Sequence, residues 1–182
     1  MKRFSPEVEA DIRKRSNVFG LVLGILCLPF ALIGGSLGAC CPLGSFIGVA
    51  PVIFAGLFSG ALAAMFLDWG RIQSDEAMQV GVKVGLRSSL LASLIGAGAT
   101  FLASLASSTS WLALGKFGAE LGAPGSVGVG TAGFGGALIS NLLVLIFSVI
   151  PGVLLGTLGG VIGAAIKRPA VGPSNPASPP SV

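Results

Sequence analysis

The sequence predicts an all-α integral membrane protein, a four-helix bundle made by tandem duplication of a two-helix transmembrane hairpin. First, residues 18–67, 88–115 and 121–166 contain no charged side chain, and about 20 apolar residues cross a bilayer as a helix. Second, 53% of the residues are hydrophobic and 10% are charged, against about 25% charged in soluble domains. Third, the motif Pro-x4-Gly-x3-Gly begins at Pro51 and again at Pro151.

The first hairpin is predicted at 18–67, with spans at 18–39 and 45–67. This uncharged run is too long for one span and suits two, because each needs about 30 Å at about 1.5 Å per residue. Pro42 and Gly44 lie between the two spans, and both residue types end helices.

A basic cytoplasmic leader at 1–17 precedes the first hairpin. Ser5 followed by Pro6 is typical of a helix start, with the serine as the cap and the proline in the first turn. Two interpretations of the leader stay open. It is either a solvated charged segment or a helix that presents apolar side chains to the membrane surface, namely Val8, Ile12 and Phe19.

The second hairpin is predicted at 88–166, with spans at 88–112 and 137–166 and a Gly-rich outer loop at 113–136. A cytoplasmic linker at 68–87 precedes it and includes the start of the third helix. Ser74-Asp75-Glu76 predicts that start, because a capping serine is followed by acids at the positive end of the helix dipole. The Pro-rich segment at 167–182 is predicted to be a disordered cytoplasmic tail. Trp69 and Trp111 suit the two membrane interfaces.

Basic residues mark one side of the membrane. All but Lys116 of the 11 Lys and Arg residues fall in the leader, the linker or the tail: Lys2, Arg3, Arg13, Lys14, Arg15, Arg71, Lys83, Arg87, Lys167 and Arg168. Short positively charged segments stay in the cytoplasm. The sequence therefore predicts a multi-pass protein of the prokaryotic inner membrane, with both termini cytoplasmic and Lys116 outside. Scattered short blocks of this kind do not indicate nucleic-acid binding.

The two hairpins align at their proline–glycine motifs and also where each first span opens, at Arg15-Ser16-Asn17 and Arg87-Ser88-Ser89. Duplication predicts that both copies cross the membrane in the same direction, with any pseudo-two-fold axis along the membrane normal. Chance similarity between two Gly-rich apolar segments is the alternative interpretation.

Small residues recur at every fourth position in the predicted spans. Lipid tails are as apolar as Leu, so membrane helices associate through close backbone approach, which small residues permit. Three uses of these faces stay open: packing within one bundle, contact with a homo-oligomer or larger membrane complex, and lining of a pore. The candidate helix-packing residues are Gly56, Gly60, Gly81, Gly85, Gly96, Gly152, Gly156 and Gly160.

The sequence offers little for catalysis. No ionisable side chain lies at the predicted bilayer depth, where ion-coupled carriers and proton relays place them. The chain has no His, the usual acid–base and metal-binding residue. We therefore expect no enzymatic activity and no catalytic, cofactor or metal site. Gly128-x-Gly130-x-x-Gly133 matches a dinucleotide-binding string, but no βαβ unit surrounds it. The polar residues within the spans are expected to form interhelical hydrogen bonds: Thr100, Asn141, Ser148 and Thr157.

Cys40 and Cys41 are the candidate redox residues. They are adjacent and are predicted at the outer face, where a bacterial periplasm is oxidising. Membrane thiol oxidoreductases usually use Cys-x-x-Cys, however, and a disulfide between neighbours closes a strained ring. Two ordinary turn residues are the competing interpretation. Leu37-Gly38-Ala39-Cys40 also resembles a bacterial lipoprotein cleavage box, whose use would make Cys40 a lipidated N-terminus.

The stretch Ala77-x3-Gly81-x-x-Val84-Gly85-Leu86, which follows Gly56-x3-Gly60, resembles small Gly-rich prokaryotic membrane proteins of unknown function. The resemblance rests on glycine spacing. It implies four or so spans and no assigned activity, so it assigns no functional residue.

Two functions of different classes follow as expectations. The first is a non-enzymatic packing, assembly or accessory subunit, in contact with the lipid bilayer and with a homo-oligomer or larger membrane complex. The second is a small channel or facilitator for an uncharged or lipid-like solute, motivated by the duplicated hairpins and by prolines at matching depth. An envelope redox protein that uses Cys40 and Cys41 is the remaining alternative.

Overall fold

The structure, a computed structural model, describes residues 4–38, 42–72 and 76–167. In that part of the chain every element is helical, as the predicted fold class requires. The helices are α1 (Pro6–Leu26), α2 (Leu28–Gly38), α3 (Pro42–Met65), α4 (Ala77–Glu120) and α5 (Ser126–Lys167), with a short 3-10 helix at Trp69–Arg71. Three of these helices are long and apolar enough to cross a membrane, and the count rises to four if α1 and α2 form one bent span.

The first span, predicted as a single helix at 18–39, is broken. α1 ends at Leu26, and α2 leaves it at an angle of 45°. Pro29 supplies the physical reason, because it has no N–H to donate to the carbonyl of Ile25 and its ring crowds that carbonyl. The sequence signal for this break was present, since a proline inside an apolar span predicts a kink.

The described part of the leader belongs to α1, whose charged side chains are mostly exposed while one face packs against the rest of the protein. The helix begins as expected, with the Ser5 hydroxyl accepting a hydrogen bond from the backbone N–H of Val8 at 3.4 Å. Ile12 is only 3% exposed, and Val8 and Phe19 pack against the cluster that contains it. The end of α3 and the start of α4 cover this face of α1. The sequence of α1 alone does not reveal this contact.

The Gly-rich outer loop predicted at 113–136 is much shorter in the structure. α4 and α5 extend into it from both sides and leave 121–125 as the connection. Gly122 adopts φ of +75°, and its N–H donates to the Ala119 carbonyl, while the next N–H reaches back to the Gly118 carbonyl, both at 3.0 Å. These two bonds form a Schellman motif, which satisfies the last carbonyls of α4 and lets the chain reverse.

The directions of the helices follow from their closest contacts. Gly56 of α3 meets Gly152 of α5, and Gly60 meets Gly156, so α3 and α5 run parallel. Residue numbers also rise together along the contact between α1 and α4, so these two helices are parallel. Along the contact between α4 and α5, residue numbers rise in one helix as they fall in the other. α4 and α5 therefore form a long antiparallel pair against which α1, α2 and α3 pack.

One end of this bundle, here called the basic end, holds the start of α1, the end of α3, the start of α4 and the end of α5. Trp69 helps to close it, because its indole N–H donates to the carbonyl oxygen of Ala64 at 2.9 Å. It belongs to a buried apolar cluster: Ile12, Ala63, Ala64, Leu67, Trp69, Ala77, Val80, Val84 and Ala164. The opposite end, where 121–125 joins α4 to α5, is here called the far end.

Several sequence predictions fall outside the described residues. They concern Cys40 and Cys41, the Ser74-Asp75 cap of the third helix, and the tail beyond Lys167. α4 begins at Ala77, with Glu76 as an N-cap residue that makes no side-chain cap hydrogen bond. The helix therefore starts before the first span residue predicted at Ser88, but later than a cap at Ser74 requires.

Candidate functional site

The candidate functional site is the close helix interface at which α3, α4 and α5 meet. Its centre is Gly156 of α5, which faces two helices at once. A Cβ atom added to Gly156 would collide with the side chain of Ser89 on α4 and would lie 2.7 Å from the carbonyl oxygen of Gly56 on α3. Real Cβ atoms essentially never approach other heavy atoms so closely, so only glycine fits here without movement of the backbone.

The contact between α3 and α5 is made by backbone atoms. A Cβ on Gly56 would collide with the backbone of Gly152, and one on Gly60 would collide with the carbonyl oxygen of Gly156. Such approach maximises dispersion between two helices, which is the main source of association energy where lipid competes for every apolar side chain.

The contact between α4 and α5, nearer the basic end, is also made by closely approaching glycines. A Cβ on Gly81 would lie 2.8 Å from the carbonyl oxygen of Gly160 and 2.8 Å from the Cβ of Ala164. A Cβ on Gly85 would lie 3.0 Å from the Cα of Gly160. Gly96 differs from the other candidates, because it faces a side chain, with the Cγ2 of Val52 2.7 Å from its hypothetical Cβ.

The structure thus brings seven of the candidate glycines into one continuous interface and places Gly96 beside it, against α3. Sequence reasoning missed a second row on α5. A Cβ on Gly159 would collide with the Leu57 carbonyl, and one on Gly163 would lie 2.6 Å from the Ala61 carbonyl oxygen. The spacing of these two glycines, one turn apart on α5, was a signal that could have found them.

The far end has its own close contacts. A Cβ on Gly130 would lie 2.7 Å from the carbonyl oxygen of Trp111, and one on Gly133 would lie 3.0 Å from the Trp111 ring. Gly115 and Gly130 also touch across the two helices. The dinucleotide-like string Gly128-x-Gly130-x-x-Gly133 therefore lies on α5, where two of its glycines pack against α4.

The polar residues predicted to bridge helices do so less than expected. Thr100, Ser148 and Thr157 each donate to a carbonyl three or four residues earlier in the same helix. This correction has a general reason, since helical Ser and Thr reach back to the preceding turn more easily than across to a neighbour. The Nδ2 atom of Asn141 is buried and has no hydrogen-bond partner among the described residues.

Two other hydroxyl groups do cross between helices. Ser16 of α1 donates to the carbonyl of Val84 on α4 at 3.4 Å, and Ser89 reaches the carbonyl of Val153 on α5 at 3.5 Å. Ser93 is fully buried beside Gly152, yet its hydroxyl has no partner in the part of the chain that the structure describes.

Thiols and acids do not form a reactive cluster in the described residues. Cys27 lies at the break between α1 and α2, where its Sγ donates to the carbonyl of Pro51 at 3.4 Å. The candidate redox residues Cys40 and Cys41 lie outside the described residues, as does the cysteine of the lipoprotein alternative. Among the residues described, no group of three or more His, Cys, Asp or Glu side chains is placed to hold a metal ion.

Comparison with known family models, with curated proteins and with solved structures finds no match for this chain.

Proposed function

We propose that this chain is a non-enzymatic, multi-pass packing or assembly subunit of the prokaryotic inner membrane, which associates with a second copy of itself or with a larger membrane complex. In this proposal α1 and α2 serve as one bent span of a four-helix bundle. Duplication of a hairpin accounts for the parallel pairs α3–α5 and α1–α4, and the basic end faces the cytoplasm.

The observation that carries the proposal is the uncovered apolar surface of α5. In the most apolar 18-residue window of α5 only 11% is buried inside the protein, against 44% in α3 and 39% in α4. The eight candidate packing glycines are all in close contact within the chain, so we assign partner contact to exposed large apolar residues. These are Val129, Ile139, Leu142, Leu143, Ile146 and Phe147.

Asn141 lies in the same part of α5, on the more covered side that also carries the buried Ser148, and supplies a polar anchor. A buried amide N–H without an acceptor is costly in an apolar environment. Its side chain is only partly buried, so a change of rotamer presents the amide to a neighbouring helix. Asn side chains hydrogen-bond across membrane helices in this way.

The channel is the weaker candidate. Between Gly56 and Gly60 the backbones of α3 and α5 approach so closely that a methyl group does not fit. A pore through the middle of the two hairpins requires this contact to open.

Two differently tagged copies expressed together provide the test. Asn141→Ala is expected to lower co-purification of the second copy about threefold for each interhelical hydrogen bond lost. The neighbouring Ser140→Ala is the matched control, because it removes a polar group from an exposed position on the same turn. Bound proteins of other kinds are identified in parallel by mass spectrometry.

The proposal fails if the chain is monomeric in lipid nanodiscs and brings down no other membrane protein after cross-linking in cells. Equal loss in Asn141→Ala and Ser140→Ala would remove the role assigned to the amide while leaving assembly itself intact. Solute flux through liposomes that contain the monomer would favour the channel instead.

A further inference from the structure

One face of α4 changes from cationic to apolar over about three turns. Its six residues recur at the spacing of a single helix face and are here called the cation–leucine face: Lys83, Leu86, Arg87, Leu90, Leu91 and Leu94. The opposite face of α4 carries the buried small residues that meet α1 and α5. The cation–leucine face therefore points away from the packed interior.

This face forms one wall of a groove beside α1. The groove has a volume of 420 Å³, and the α1 side is contributed by Glu9 and Ile12. The α4 residues that line it span about 16 Å along the helix axis, at about 1.5 Å per residue. Its mouth is polar and its floor is leucine, which matches the order of groups in a phospholipid.

The mouth of the groove keeps a net positive charge. Lys83 Nζ lies 3.8 Å from a carboxylate oxygen of Glu9, and both side chains are about half exposed. Arg87 donates its Nε–H to the neutral side-chain oxygen of Asn17 at 3.1 Å. Glu9 offsets one of the two cations, so the three ionisable side chains at the mouth leave one positive charge to be matched.

The height of these cations along the bundle points to an anionic partner in the membrane. Lys83 lies between Gly81 and Gly85, which contact Gly160 of α5. At that level α5 exposes Leu158 and Ile162, which are 55% and 53% exposed. Cations at the same height as exposed apolar side chains must reach toward the membrane surface or draw an anionic headgroup to them.

We infer that this groove binds one anionic diacyl phospholipid, with its phosphate at Arg87 and Lys83 and one acyl chain along Leu90 and Leu94. Basic pockets between membrane helices on the cytoplasmic side recognise anionic headgroups through the same chemistry. A second copy of the chain is a poorer occupant, because a symmetric contact would bring the net positive charges of two grooves together. The inference requires insertion in a membrane and does not depend on the assembly proposed above.

The test counts lipids bound to the full chain by native mass spectrometry after release from nanodiscs of phosphatidylglycerol and phosphatidylcholine. The double variant Lys83→Gln/Arg87→Gln is expected to lower the preference for phosphatidylglycerol about tenfold. Arg13→Gln/Lys14→Gln is the matched control, since it removes the same charge from exposed positions of α1 outside this groove. That control is expected to keep the parental preference.

Two further variants separate binding from folding. Leu90→Trp fills the groove without changing its charge and is expected to lower phospholipid retention, while Arg87→Lys keeps the charge and is expected to retain most binding. Parental phosphatidylglycerol binding in both the double-glutamine variant and Leu90→Trp would overturn the inference. Equal loss in the Arg13/Lys14 control, or displacement of the lipid by glycerol phosphate, would also overturn it. A change in oligomer mass with no change in bound lipid would assign the face to a second copy.

Discussion

Gly60 of α3 and Gly156 of α5 touch backbone to backbone, so that a single methyl group on Gly60 would collide with the carbonyl oxygen of Gly156. The same carbonyl lies against Gly85 of α4. One peptide group of α5 is thus a shared contact for two other helices. Packing of this kind does not adjust continuously, because a helix backbone cannot rotate aside as a side chain can.

Substitution of these glycines is expected to loosen the bundle. Gly60→Ala and Gly156→Ala should each lower stability by about 1–3 kcal/mol through overpacking, and Gly156→Leu and Gly160→Leu should do more. The measurement is thermal unfolding in lipid nanodiscs. Gly98→Ala and Gly136→Ala are matched controls, because a Cβ at either helical position would meet nothing within 4 Å. These controls should be neutral or stabilising by about 1 kcal/mol, since Ala favours helix over Gly. Unchanged stability in Gly60→Ala would contradict the close contact.

Ser93 is expected to be dispensable for stability, in contrast to most buried polar residues. Its hydroxyl has no partner among the described residues, so Ser93→Ala removes an unsatisfied buried group and should leave the unfolding temperature equal or higher. Ser88→Ala is the comparison, because that hydroxyl donates to the carbonyl of Val84 at 2.9 Å.

A double-mutant cycle tests the same contact more directly. The Ser93 hydroxyl lies 2.5 Å from the Cβ that Gly152→Ala would introduce. Gly152→Ala should therefore cost less in the Ser93→Ala background than in the parent, with a measurable coupling free energy. Strict additivity would show that the two residues do not meet.

The hydrogen bond from the Trp69 indole to the Ala64 carbonyl should stabilise the basic end. Trp69 is only 8% exposed, and Trp69→Phe leaves that carbonyl without this donor. The expected loss is about 1 kcal/mol, measured by thermal unfolding. Trp111→Phe is the control, because Trp111 is 37% exposed and packs by its ring against a glycine. A larger loss from Trp111→Phe than from Trp69→Phe would contradict this account.

The sequence was informative where one residue type decides local structure. Ser5 and Pro6 located the start of α1, and uncharged runs located the apolar helices. It was misleading where packing overrides local preference. Glycines near the far end suggested a loop, yet Gly115 and Gly130 stay helical because they let two helices touch. Burial of Ile12 depends on where the end of α3 and the start of α4 lie, and no local sequence pattern encodes those positions. Glycine spacing likewise named the packing residues, but it did not say which helix each one meets.

The orientation of the chain is the last prediction. Both termini should be cytoplasmic, with Lys116 and Cys40 outside, because all but one of the 11 basic residues fall in the leader, linker and tail predicted on one side, and the connecting segments are short. The measurement is labelling of intact cells with a membrane-impermeant thiol reagent, after reduction of any disulfide. Cys40 and Cys41 should react without opening the cells. In a background in which both are Ser, Lys116→Cys should react in intact cells, and Arg13→Cys and Ser74→Cys only after lysis.

The two introduced cysteines in described helices, at positions 13 and 116, are a matched pair, because both replace exposed cations. A reaction at Arg13→Cys but not at Lys116→Cys in intact cells would reverse the orientation. Labelling at both would indicate mixed topology or a miscounted span, since Cys40 lies outside only if α1 and α2 together cross the membrane once. The same gels test the lipoprotein alternative, because cleavage before Cys40 would remove α1 and α2 from the mature chain. A full-length band that is labelled at Cys40 would therefore establish that the bent pair remains in the protein and crosses the bilayer.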